Sequence, residues 1–405
     1  MLFFAIVYVV EGVGQAKVGV VWQPLNYYLK QSFGWTPVQI SLSLAILDLP
    51  WVIKPVFGLI SDFVPLLGYR RRAYLLLANV AAVIAYAWVA MAGTPARLVF
   101  ALLLTSFAMA IASTICGALL VENGQQHRAT GRFVTQQWLW FNVATMASAI
   151  GGGELIAWLS PAGALRTAAL VAAGLPLAAA LATVLLVDEA RAATDLAALR
   201  RSFAGLLAAL RSRRLYLIGA FLFLYNFSPG FGTPLYFHLT DRLHFPQAYI
   251  GTLTAIGSAG WIAGALLHRR FLERLSARAL LNLSIAGGTL ATLAFLLLQG
   301  EASAAAVYFL NGVAGMIANV ATLTLAADHC PPRAEGFVFA ALLSVTNLAT
   351  PLADNVGSFM FEDVFARSLA PLILVSAAAT AVVFLLVPLL RLGDRAQGDA
   401  AVGAE

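Results

Sequence analysis

The stretch PWVIKPVFGLISDFVPLLGYRRR, Pro50 to Arg72, sets an apolar run carrying Lys54, Gly58 and Asp62 against a turn that closes on three consecutive arginines. A run so poor in charge suits lipid better than water, and the arginines mark the end that stays on the cytoplasmic side. The rest of the chain agrees. Of 405 residues, 61% are hydrophobic and 11% charged, against roughly a quarter charged in a soluble domain. That much apolar surface cannot be hidden inside a water-soluble globule, so the main solvent of this chain is lipid.

Twelve windows long enough to span a bilayer can be drawn, numbered here as spans 1 to 12: residues 1–29, 37–61, 73–93, 97–121, 132–158, 165–187, 214–239, 247–267, 278–299, 303–327, 335–361 and 368–391. This predicts an all-α integral membrane protein in two parallel six-helix halves. Residues 1–190 form an N-terminal six-helix bundle, 191–213 a cytoplasmic linker, 214–393 a C-terminal six-helix bundle and 394–405 a cytoplasmic tail. With both termini inside, the inner loops hold 18 Lys and Arg residues and the outer loops 5, leaving only Lys17 and Lys54 within spans. The bias orients the protein in the plasma (cytoplasmic) membrane, so the net charge of +6 reports topology and not nucleic-acid binding. An apolar start without a basic region reads as a retained first helix.

Two internal repeats support the division. Residues from Pro24 align without gaps with those from Pro234, matching Leu25/Leu235, Leu29/Leu239, Ile40/Ile250 and Ala45/Ala255. Residues from Gly131 align with those from Gly336, matching Asn142/Asn347, Thr145/Thr350 and Gly152/Gly357. Six helices per half keep the repeats in the same orientation, the plan in which the solute route lies between halves. Glycines such as Gly251, Gly257, Gly260 and Gly264 in span 8 read as close helix contacts.

Chemistry other than transport has little support. Cys116 and Cys330 lack CxxC spacing, the five histidines lack HxxxH or HExxH spacing, and no GxxxxGK[ST] occurs. No metal, cofactor or enzymatic centre is expected.

Charges inside a membrane cost about 2.5–3.5 kcal/mol each on insertion scales, so each needs a partner or a wet cavity. Glu11 and Asp48 fall near the midplane and are the candidate proton-coupling carboxylates. Lys17 lies toward the outside, where a static pair with Glu154 or Asp354 is the alternative reading. Lys54 either draws in an anionic solute or pairs with Asp62, and Asp62 with Arg70, Arg71 and Arg72 reads as a gate brace. Candidate solute contacts are Gln15, Lys17, Trp22, Trp138, Asn142, Tyr225, Asn226 and Asn347, together with Gln137, Trp261 and Asn311.

Gly58-x-x-x-Asp62 with its basic turn resembles the loop signature of the major facilitator superfamily. The fuller string Pro50 to Pro55, Gly58, Ser61-Asp62 and Gly68 to Arg72 with Tyr74 resembles the folate/biopterin transporter branch, as do Phe221 to Phe237 and Cys330 to Leu348. The resemblance implies a secondary active transporter working by alternating access and proton symport, for a folate- or pterin-like solute or another small organic anion. The expected partners are the lipid bilayer, the solute and protons, with the chain a monomer. In that branch span 4 typically carries D-x-x-x-D and then a glutamate; here Ser113 and Gly117 stand at the aspartate positions and Glu122 remains. An exporter or muropeptide-like permease of the same fold, or a membrane assembly or receptor protein, is the alternative.

Overall fold

The structure is a computed structural model, described over residues 1–127, 130–194, 212–329 and 335–390. Most of the expected linker 191–213, the tail 394–405, Cys330 and the arginines at 128, 200, 201, 211, 333, 391 and 395 lie outside the described residues. The described chain is helical throughout, and eight of its helices are long and apolar enough to cross a membrane. With the broken spans 1 and 7 and the helices of spans 5 (Thr130–Trp158) and 11 (Glu335–Phe359), the order is the twelve-helix one.

The chain separates into two compact units. One takes residues 1–194 together with Phe245–Ala255, and the other takes residues 212–244 and 256–390. Each has its own core. In the first, Phe4, Tyr8, Leu75, Met109, Ile115 and Phe133 bring spans 1, 3, 4 and 5 together. In the second, Ile218, Phe221, Leu281, Ile285, Leu325 and Leu342 do the same for spans 7, 9, 10 and 11.

Two spans are not continuous helices. Span 1 runs as Leu2–Gly14 and Trp22–Phe33, and span 7 as Arg213–Asn226 and Gly232–Asp241. A break in hydrocarbon frees backbone groups that must find partners inside the protein. In span 1, Gly19 N–H donates to Gln15 O at 2.7 Å, Val20 N–H donates to Val13 O at 3.1 Å, and the buried Tyr86 hydroxyl of span 3 donates to Gly14 O. In span 7, Gly230 N–H donates to Ala353 O at 2.9 Å, and the Ser228 hydroxyl donates to Ser376 O at 2.8 Å. Both breaks lie just ahead of the aligned segments that begin at Pro24 and Pro234, and the Gly152/Gly357 pair of the other repeat supplies the surface each leans on. A Cβ at Gly152 would meet Val20 O at 3.1 Å and Pro24 Cδ at 3.3 Å, and one at Gly357 would run into the Gly230 carbonyl. Only glycine lets the backbones approach this closely. Span 8 uses the same device against span 10, where Gly260 and Gly264 face the Phe309 and Val313 carbonyls.

Span 2 is also interrupted, by a 3-10 turn at Ile46–Asp48 and a kink at Ile53 ahead of the helix Lys54–Phe63. Thr36 starts the span with a capping box to Gln39. The following turn has Leu67 and Gly68 at positive φ and delivers the chain to span 3, Arg72–Met91. Glu189, just after span 6, caps that helix from a distance: its carboxylate accepts from the backbone N–H of Arg70, Arg71 and Arg72 at 2.8–3.1 Å.

Glycine substitutions separate contact from propensity. Gly357→Ala should destabilise the detergent-solubilised protein by roughly 1–3 kcal/mol through overpacking. Gly174→Ala, in span 6 with nothing within 4 Å of the added Cβ, should be neutral or stabilising by up to about 1 kcal/mol. Thermal unfolding checks both, and equal effects would contradict the contact at the span 7 break.

Candidate functional site

The buried charges of the first unit form two clusters and a brace. Glu11, one turn before the break in span 1, is 8% exposed. Its Oε1 accepts from Gln15 Nε2 at 3.1 Å and from Ser113 Oγ at 2.8 Å, while Oε2 is buried without a partner among the described residues. Ser113 also accepts from Lys54 Nζ at 3.0 Å, and that ammonium lies 4.6 Å from the centre of the Trp51 ring. Ser113 therefore links carboxylate to ammonium across spans 1, 2 and 4. The second substituted position, Gly117, one turn further along span 4, has nothing within 4 Å of an added Cβ.

Lys17 sits in the break of span 1 and Asp48 in the 3-10 turn of span 2, and the two pair at 2.5 Å. The alternative pairing of Lys17 with Glu154 or Asp354 does not form among the described residues. Both Lys17 and Asp48 stand where their spans lose helical regularity. Glu154 is exposed and accepts from Trp158 Nε1 at 3.1 Å. Asp354 lies in the second unit, its side chain against Gly230 at the break of span 7.

The brace centres on Arg71. Its Nη2 donates to Asp62 Oδ1 at 2.5 Å and to Glu122 Oε1 at 2.7 Å, and its Nη1 donates to Ser61 Oγ at 2.7 Å. Burial works against the Arg71 charge, but the hydrogen bond to Glu122 and the charge of Asp62 outweigh it, leaving its pKa above the ordinary guanidinium value. Arg70 lies 3.6 Å from Asp62, and Arg72 Nη2 donates to Val184 O at 2.9 Å. The expected Lys54–Asp62 pair does not form. Eight residues of helix separate them by about 12 Å, so Lys54 serves Ser113 while Asp62 serves the turn.

The remaining candidates are less concentrated. Trp22 opens the second half of span 1, and its carbonyl accepts from Asn26 Nδ2. Asn142 Nδ2 donates to Trp138 O at 2.7 Å, and Trp138 stands edge-on to Phe141. In the second unit, Tyr225 donates to Ser284 Oγ at 3.2 Å and stacks on Phe221, Asn226 Nδ2 donates to Leu222 O, and Asn347 is half-buried. Among the named coupling and solute residues, side-chain to side-chain polar contacts join Gln15 to Glu11 and Lys17 to Asp48. Sequence reasoning misses Ser61, Trp51, Tyr86 and Glu189. Their signals are weak, because a lone serine, aromatic or loop acid has no spacing to announce a partner far along the chain.

Comparison with known proteins fixes the family. The model of the BT1 family matches residues 14–399. The chain is 32% identical over 372 residues to the "Folate-biopterin transporter" of Synechocystis sp., covering 87% of this chain and 73% of that protein. It is 25% identical over 359 residues to "Folate transporter 2" of Plasmodium falciparum, covering 83% and 75%. Among solved structures, the nucleoside transporter NupG superposes with a TM-score of 0.71 at 12% identity over 97% of this chain and 100% of that one. The xylose transporter XylE from E. coli, inward open, superposes with a TM-score of 0.74 at 12% identity over 98% and 96%. Such low identities speak to the fold alone, and the fold is that of the major facilitator superfamily. With its helices, its buried charges and its relatives taken together, the chain belongs to the BT1 family and is a multi-pass integral membrane transporter of a small molecule.

Proposed function

We propose that the protein moves a folate- or pterin-like solute by alternating access, coupled to protons through Glu11. The observation that carries this reading is the buried Oε2 of Glu11, left bare while Oε1 takes two hydrogen bonds. A carboxylate oxygen held from water without a donor is costly, and binding a proton removes the cost. Glu11, Ser113 and Lys54 then act as one unit. With Glu11 protonated, the Lys54 ammonium loses its internal counter-charge and is available to an anionic group on the solute. When the proton leaves, Glu11 reclaims Lys54 through Ser113 and the solute is released. Trp51 beside Lys54, together with Gln15, offers the aromatic face and amide suited to a flat heterocycle. The relatives named for folate and biopterin support the choice of solute.

Lys17–Asp48 is the second proposed coupling pair, placed so that movement about the two breaks opens or closes it. The brace of Asp62, Arg70, Arg71 and Arg72 with Glu122 is the proposed cytoplasmic gate of the first half. It holds one state while the charges are paired and releases when they part. Glu189 ties the beginning of the central cytoplasmic segment to the same turn, so it acts as a positioning residue for Arg71.

Proteoliposome uptake tests the reading. Folic acid and biopterin should accumulate when an inward proton gradient is imposed, and a simple dicarboxylate should not. Glu11→Gln should still exchange solute but lose gradient-driven accumulation; full accumulation by this variant would remove Glu11 from the coupling role. For the gate, Asp62→Asn and Glu189→Gln should both raise labelling of single cysteines placed in the cytoplasmic half of the route. Unchanged labelling in both would show that the brace does not set the conformational equilibrium.

A further inference from the structure

Four arginines follow span 8 within ten residues, Arg269, Arg270, Arg274 and Arg278, with Glu273 the one carboxylate among them. The helix Gln247–Leu267 continues into a single π-turn, His268–Leu272, before Ser276 caps the next helix, Ala277–Ala294. Leu272 and Leu275 pack against the core of the second unit and hold the turn in place. All four arginines remain exposed. Beside them Leu266 and Phe271 are also exposed, at 62% and 65%, and the Arg270 guanidinium lies 5.3 Å from the centre of the Phe271 ring.

The turn after span 2 is different. There Arg70 and Arg71 are engaged by Asp62 and Glu122, and the backbone of the whole triplet is engaged by Glu189. Among the described residues none of the four arginines after span 8 pairs with a carboxylate. Loop counting treats the two turns alike as orienting charge, yet one is internally neutralised and the other presents its charge outward.

We infer that the turn after span 8 is a docking surface for the headgroup of an anionic phospholipid. Guanidinium forks match phosphate oxygens two at a time. Exposed leucine and phenylalanine at the same level call for hydrocarbon beside the anion, which a lipid supplies and a soluble polyanion does not. Each arginine near such a surface adds roughly fivefold in affinity. The docked lipid holds the turn between spans 8 and 9 at the headgroup level and so ties the second unit to the bilayer surface. This inference rests on the membrane-spanning fold and is independent of the solute and of proton coupling.

Native mass spectrometry of the full chain in a non-ionic detergent, titrated with phosphatidylglycerol or phosphatidylcholine, tests it without regard to orientation. The unmodified chain should retain phosphatidylglycerol preferentially. Arg270→Gln with Arg274→Gln should lower that retention at least about tenfold, and Arg274→Gln alone about fivefold if the pair proves unstable. Arg97→Gln with Arg166→Gln, near the starts of the helices of spans 4 and 6 at the ends expected on the opposite side, should leave it unchanged. Equal retention of the two lipids, preference surviving in both glutamine variants after span 8, equal loss in the Arg97/Arg166 variant, or displacement by millimolar inorganic phosphate would each overturn the inference.

Discussion

Inside a bilayer no water is at hand to satisfy a backbone group or a charge, so every departure from helix and every ionised side chain must be answered from within the protein. The two broken spans meet this demand with matched devices. Span 1 is closed by Tyr86 and leans on Gly152, and span 7 is closed by Ala353 and Ser376 and leans on Gly357. The charges meet it by pairing: Lys17 takes Asp48, Lys54 reaches Glu11 through Ser113, and Arg71 gathers Asp62 and Glu122. Glu11 Oε2 is buried without a partner among the described residues, and the proposed coupling rests on that atom.

Broken helices in corresponding positions of two repeats are a recurring plan for midplane binding sites, since freed backbone and half-helix ends can face a solute. In this chain the charged groups cluster beside the break in span 1, in the first unit. The second unit offers Tyr225 and Asn226 beside its own break, Asn347 on span 11, and a groove of about 520 Å³ between spans 7 and 11 whose lining is overwhelmingly apolar. Near the break of span 1 the charges of the first unit answer one another, whereas in the second unit Asp354 lies against Gly230 at the break of span 7.

Much of this architecture is legible in the amino-acid sequence. Hydropathy places the twelve spans, and repeat alignment picks out Gly152/Gly357, although it says nothing of their contacts with the breaks. The breaks themselves escape because an apolar window averages over a non-helical turn such as Gln15–Val21 without registering it. Glu11, Asp48 and Lys54 are found by cost alone: a charge in an apolar run stands out. Their partners are harder. Matching Lys54 with Asp62 by helical phase ignores the rise along the axis, and matching Lys17 by depth ignores the kinks in span 2. Ser113 reads as a loss, standing where the resembling branch carries aspartate, and the structure makes it the link between Lys54 and Glu11.

Proton release or uptake on ligand binding reports whether Glu11 couples the solute to protons. Folic acid or biopterin is added to the purified protein in weakly buffered detergent, and the change in bound protons is read with a pH indicator. The unmodified chain should give a clear proton signal, and Glu11→Gln should bind the ligand without it. A proton signal of the same size in Glu11→Gln would contradict coupling through Glu11.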